Sequence, residues 1–200
     1  MTDPAAVDAR RAVVLAGHDG DEATARPGLI HPNPGVRSSA IGALERMGAL
    51  HRDDLETALG DTEATVARRA CEAVALLPGD QAPSLLHTLS GADATVVEVA
   101  AWASGERQPP EAGIVAVLAL LTTTHDDSLV REAAVAALGA IGDHAGLAAI
   151  LTATGDKATV RRRAVLALAS FEGEAVDAAL EHARHDRDWQ VRQAAEDLSD

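Results

Sequence analysis

The feature that most constrains this chain is a repeat of about thirty residues. Six segments open on a valine followed four positions later by an alanine: Val36 and Ala40, Val66 and Ala70, Val96 and Ala100, Val130 and Ala134, Val160 and Ala164, Val191 and Ala195. The valines are spaced by 30, 30, 34, 30 and 31 residues. A second register, through Leu29, Leu59, Leu89, Leu121 and Leu151, advances by nearly the same step. Two registers with one period define a small structural unit, and a unit of this size buries its apolar face only by stacking on its neighbours.

Each unit reads as two helices. Apolar residues fall four, seven and eight positions after the valine, as in Val130, Ala134, Ala137 and Leu138, which is one face of a 3.6-residue helix. This second helix (B) is predicted to start at Asn33, Glu63, Asp93, Asp127 or Asp188, where Asp and Asn can accept from the free N–H groups of the first turn. Pro34 suits the first helical position. Gly48, Gly79, Gly105, Gly142 and Gly173 stand where a helix end calls for a left-handed residue. The first helix (A) is expected over Arg52–Leu59, Ala82–Leu89, Glu111–Leu121, His144–Leu151 and Glu174–Ala183, with a weak first copy over Asp21–Ile30 that contains Pro27 and Gly28. No segment alternates like a strand.

Pro4–Gly17 reads as an extra capping helix, and Trp189–Leu198 as a closing helix made polar by Glu196 and Asp197. The insertion Gly105–Pro110 explains most of the 34-residue step, and its two prolines cannot continue a helix, so a bend between two halves is expected there. The only aromatic residues are Trp102, Trp189 and Phe171. A core filled with Ala, Leu and Val suits closely spaced helices. The expected architecture is all-α: one domain, a right-handed α-solenoid of about six hairpins over 21–48, 51–79, 80–108, 111–142, 143–172 and 173–199, with the cap over 4–17.

The pattern resembles HEAT repeats of the short, phycobilisome-lyase-like type, whose motif runs Asp-x-x-Val-Arg-x-x-Ala-x-x-Ala-Leu. Asp127 to Leu138 and Val160 to Leu168 carry it best, and the resemblance covers Asp21 to Leu198. The Trp/Tyr and Thr-Pro-Leu-His signatures of tetratricopeptide and ankyrin repeats are absent. The resemblance implies an interaction scaffold. It also raises an alternative, an accessory enzyme of the bilin-lyase-like or metal-dependent type. Deoxyhypusine hydroxylase, of similar architecture, binds di-iron through His-Glu dipeptides, and none of the eight histidines here precedes a glutamate. HEAT-like DNA glycosylases present a basic, aromatic-lined surface, which a chain of net charge −14 does not offer. No constellation matches a bilin lyase.

Direct searches for chemistry give the same result. His182 and His185 can share a helical face, but a metal site needs a third ligand, and Arg184 and Arg187 oppose a cation. They read as surface histidines, and His31, His125 and His185 occupy similar turns between helices. Cys71, the single cysteine, stands where other copies have Ile41, Ala101, Val135 and Val165, and is expected in the core. No catalytic residue, metal or cofactor is assigned.

In this architecture the B helices line the concave face, and positions two and six after the valine point out of it. These positions nominate Trp102, Glu72, Glu98 and Glu132, with Arg68, Arg162 and Leu166 further along. An aromatic anchor ringed by carboxylates suits a basic or amphipathic protein or peptide. Trp102 packed into its own hairpin fits the sequence as well. Arg37, Arg131, Arg161 and Arg192 directly follow the valine and are expected to pair with acids of neighbouring loops. Arg68, Arg69, Arg162 and Arg163 are less regular; they are either partner contacts or a solvated face. An acidic chain disfavours nucleic acid. The longest apolar run, Ile114–Leu121, is too short to span a bilayer. Met1–Pro4 does not open a secretory signal. A monomeric cytoplasmic protein without membrane or nucleic-acid partners is the expectation.

Overall fold

The computed structural model describes residues 3–78 and 81–198, and among these residues it contains helices and no strand. Twelve α-helices follow in order: α1 Pro4–Asp19, α2 Glu22–Ala25, α3 Pro34–Met47, α4 Arg52–Leu59, α5 Ala64–Ala75, α6 Ala94–Glu106, α7 Ile114–Thr124, α8 Ser128–Ile141, α9 Leu147–Ala153, α10 Ala158–Ala167, α11 Glu174–Ala183 and α12 Trp189–Asp197. The repeat valines and alanines open the B helices α3, α5, α6, α8, α10 and α12. All six valines are buried, and all six alanines at the fourth position after them have no exposed surface. That alternation of one branched and one minimal side chain forms the seam of the stack. Among the described residues no helix is long and apolar enough to cross a membrane.

Local chemistry sets the helix starts. Asn33, Asp93, Asp127 and Asp188 each accept from a first-turn backbone N–H, as their spacing before the valine predicts. Glu63 makes no side-chain cap, since its longer side chain does not form the tight turn that Asp and Asn form. Gly48 and Gly142 end α3 and α8 in the left-handed region, at φ 66° and 68°. Gly79 lies outside the described residues. Two other glycines differ from expectation. Gly173 precedes α11 rather than ending a helix, and Gly105 lies inside α6. The reason at Gly105 is packing: a Cβ there would stand 2.8 Å from the Cα of Ala137 on α8. Gly139 of α8 repeats the arrangement, 2.7 Å from the Cα of Ala167 on α10. Small residues on both sides let successive B helices approach closely, which accounts for a core with few aromatic rings.

The A elements are less regular than the B helices. Arg52–Leu59 and Glu174–Ala183 form as expected. The first copy is α2 followed by a 3-10 turn over Arg26–Ile30. The third, expected over Ala82–Leu89, is no α-helix; its one helical piece among the described residues is the 3-10 helix Thr88–Ser90. Pro83 removes a backbone donor, and so short a segment nucleates a helix poorly. Ala82, Leu85 and Leu89 are nevertheless buried, so the spacing supplies core anchors without a continuous helix. The fourth starts at Ile114, three residues later than expected, because Gly113 adopts φ 83° after the prolines. The fifth is split into a 3-10 turn, His144–Gly146, and α9.

The chain forms two compact units, one through Thr88 and the other from Leu89. The expected break at Gly105–Pro110 therefore falls inside the second unit. Gly105 is held against α8, and buried Arg107 is paired with Glu111 at 3.2 Å. In the first unit α3 packs between α1 and α5, and α4 packs on α5. In the second, α6, α8, α10 and α12 stack in order, with α7 against α8 and α9.

Three of the arginines that follow the valines, Arg37, Arg131 and Arg161, join their B helix to an aspartate of the next repeat. Arg37 makes two hydrogen bonds to the Asp61 carboxylate, at 2.7 and 2.8 Å, and also donates to the carbonyls of His31 and Pro32. Arg131 binds Asp156 the same way, at 2.6 and 2.8 Å, and Arg161 binds Asp186 at 2.8 and 2.7 Å. Arg161 also donates to the Asp156 carbonyl, and Arg192 to the Asp186 carbonyl. The second unit thus carries a continuous chain from Arg131 through Asp156, Arg161 and Asp186 to Arg192. Hydrogen bonding from the paired arginine holds each of Asp61, Asp156 and Asp186 below the ordinary aspartate value of 3.8. In the second and third repeats Ala67 and Val97 take the arginine position, and both are buried.

Candidate binding surfaces

The residues nominated from sequence divide between the two units. Arg68 and Glu72 lie on α5 in the first unit; Glu98 and Trp102 on α6, Glu132 on α8, and Arg162 and Leu166 on α10 lie in the second. Arg68 is exposed, whereas Glu72 is half-buried and accepts from Arg69 at 2.9 Å. Arg69 also pairs with Glu45 of α3, so it ties α3 to α5 instead of awaiting a partner.

In the second unit the sequence left two placements for Trp102, and the side chain is 41% exposed. Its neighbours Ala101 and Ala103 are fully buried, so the tryptophan stands on the more open side of α6. Glu98 stands four residues earlier on the same helical face, half-buried, and Glu132 sits two positions after Val130 on the adjoining α8. Glu132 has a loose ion pair with Arg163, at 3.5 Å. Further along the same stack, Arg162 and Leu166 line a shallow depression of about 110 Å³ with Trp189, Gln193 and Asp197. Trp189, 65% exposed, was not nominated from sequence. Its place two residues before a repeat valine, at the first position of α12, is the signal that would have found it.

The first unit holds a larger opening that sequence reasoning also missed. A groove of about 800 Å³ runs between the first and second A elements, where α7 and α9 pack together in the other unit. Pro27, Leu29 and Ile30 form one wall, Ala58 and Thr57 of α4 the other, and Ile41 and Val66 the floor. The interruption at Pro27–Gly28, followed by the apolar pair Leu29–Ile30, is the sequence signal for it. Three ion pairs border it: Arg26 with Glu22 and with Asp54, each at 2.8 Å, and Arg37 with Asp61.

The groups that could have carried chemistry are placed as follows. Cys71 is buried, and burial, with the Glu72 charge adding, pushes its thiol up to about 12. His182 and His185 are exposed, and His185 Nδ1 lies 3.1 Å from the Glu181 carbonyl. Nδ1 of His31 and of His125 each accepts from the backbone N–H two residues on, a shared turn. Among the described residues no group of three His, Cys, Asp or Glu side chains could hold a metal ion.

Comparison with known proteins agrees with this architecture. A family model of HEAT repeats matches residues 82–169 and again 116–199. Among solved structures, the chain is similar to the YibA protein of E. coli at 15% identity and TM-score 0.71, covering 94% of this chain and 74% of that one. It is similar to a designed armadillo repeat protein in complex with the peptide (KR)4 at 19% identity and TM-score 0.63, covering 86% and 95%. Human deoxyhypusine hydroxylase in complex with glycerol is similar at 19% identity and TM-score 0.50, covering 98% and 80%. No curated protein matches the chain. With more than half its length matched by that family model and its helices stacked as an all-α solenoid, the chain belongs to the HEAT-repeat family.

Proposed function

We propose that this protein is a non-enzymatic scaffold that binds a basic peptide or protein segment on the B-helix face of its second unit. The observation that carries the reading is the exposure of Trp102 beside Glu98 and Glu132. An indole costs free energy in water and keeps little rotamer freedom, so it makes an efficient anchor. Carboxylates on the same face favour a Lys or Arg whose alkyl stem lies on the ring and whose charge meets an acid. Leu166, Arg162 and Trp189 extend the face along the stack. Successive helices stand roughly 9 Å apart, so the span from α6 to α12 is about 27 Å, the length of about eight extended residues. The designed armadillo relative, bound to (KR)4, supports a basic occupant for such a surface.

Affinity capture from the native cell, comparing wild type with Trp102→Ala, tests the proposal. Loss of a central aromatic anchor is expected to weaken the captured partner about 30-fold. Equal recovery of the same partners by both proteins would remove Trp102 as the anchor.

A further inference from the structure

We infer that the groove of the first unit is a second docking site, and that its occupant is an amphipathic helix with an aliphatic ridge flanked by lysine or arginine. This surface shares no residue with the B-helix face proposed above, and it stands without that reading.

Three observations define the occupant. Apart from Thr57, the walls and floor are aliphatic: Pro27, Leu29, Ile30, Ile41, Ala58 and Val66. Ile30 is 85% exposed, an unusual position for so apolar a side chain beside an open cleft. At about 800 Å³ the space is that of a ligand cleft and exceeds an ordinary packing fault. An aliphatic ridge at helical spacing fills such a cleft without leaving backbone groups unsatisfied.

The polar rim then selects the sign of the partner's charge. Every guanidinium nitrogen of Arg26 is engaged, with Glu22, Asp54 and the Ala49 carbonyl. Every guanidinium nitrogen of Arg37 is engaged too, with Asp61 and the carbonyls of His31 and Pro32. A carboxylate or phosphate entering the groove would have to displace one of these internal acceptors. The carboxylates of Glu22, Asp54 and Asp61 each retain lone pairs beyond the arginine contacts. The rim therefore accepts hydrogen bonds more readily than it donates them, and its three acids outnumber its two arginines. Residues 1–88 carry 8 arginines against 13 acids, a net charge of −5, so the surrounding field has the same preference.

The test uses the full chain and a matched pair of fluorescent helical peptides, one patterned with leucine and lysine, the other with leucine and glutamate at the same positions. Binding is read by anisotropy, and the contact by chemical shifts of the Ile30 and Ile41 methyl groups. The leucine–lysine peptide is expected to bind saturably and shift both methyls, and the leucine–glutamate peptide to bind at least tenfold more weakly. Thr57→Trp and Ala23→Trp fill the groove from exposed positions on opposite walls, and each is expected to weaken the leucine–lysine peptide at least tenfold. Thermal melts establish that each variant is folded, and the two need not both be. Trp102→Ala is expected to leave binding in the groove unchanged, which separates this site from the B-helix face. No saturable binding, equal binding of the two peptides, unshifted Ile30 and Ile41 methyls, or full affinity in a folded groove-filling variant would each overturn the inference.

Discussion

At the scale of single residues, stability depends on close approach and on paired charge. Gly42 and Gly139 are both helical glycines, so alanine at either should gain about 0.5–1 kcal/mol of helix propensity. Their surroundings decide the outcome. A Cβ at Gly42 meets only the Arg69 guanidinium, at 3.2 Å, which can move. A Cβ at Gly139 would stand 2.6 Å from Ala167 Cβ and 2.7 Å from its Cα, which cannot move without separating α8 from α10. Urea unfolding should therefore show Gly42→Ala as neutral or slightly stabilising and Gly139→Ala as destabilising by about 1–3 kcal/mol. The arginine–aspartate pairs give a second prediction, with a definite sign. Asp156 titrates below 3.8 when folded, so the unfolded chain binds more protons as pH falls through that region. The stabilisation is complete above the ordinary aspartate value and is lost as pH drops through the folded one. Asp156→Asn should cost about 1–3 kcal/mol at neutral pH, and its deficit relative to wild type should shrink below pH 3.8. A deficit that stays constant with pH would mean that the carboxylate charge is not what Arg131 requires.

At the scale of elements, the B helices were legible in the sequence and the A elements only partly so. Each B helix carries its own signals: a capping Asn or Asp at most starts, a valine, and an alanine that must be small because a neighbour packs on it. These are local and repeated, so one copy reinforces the reading of the next. The A elements are specified by a few leucines, and burial of a leucine does not require a helix around it, as Leu85 shows. Gly105 misled for a related reason. A glycine near a helix end suits a left-handed cap and a close helix crossing equally well, and only the identity of the facing residue, Ala137, separates them. Periodicity nominated Trp102 and Glu98 on one face of α6 and Glu132 on α8, and the structure packs α6 against α8. Glu72 and Arg68 belong to the other unit, and Trp189 and the groove beside Ile30 depend on how neighbouring elements end, which periodicity does not encode.

At the scale of the whole molecule, the chain is an all-α HEAT-repeat solenoid whose two units each carry the same kind of seam and a different surface. The seam, built from valine, alanine and close glycine contacts, explains how 200 residues can pack with three aromatic side chains. The arginine–aspartate chain reinforces the second unit, and the repeats with Ala67 and Val97 in the arginine position adjoin the boundary between units. Uniform packing leaves the outward positions free to vary, and the exposed tryptophans and the acids on one face are where they depart most from an ordinary solvated helix. The most direct measurement of that claim uses the chain's own fluorescence. Trp102 and Trp189 are the only tryptophans, so Trp189→Phe leaves Trp102 as the single reporter on the B-helix face. Titration of this variant with (KR)4 at low salt should give a saturable blue shift of Trp102 emission as the indole leaves water. The apparent affinity should fall roughly tenfold when salt is raised to screen Glu98 and Glu132. An emission maximum that does not move at millimolar peptide would contradict the account.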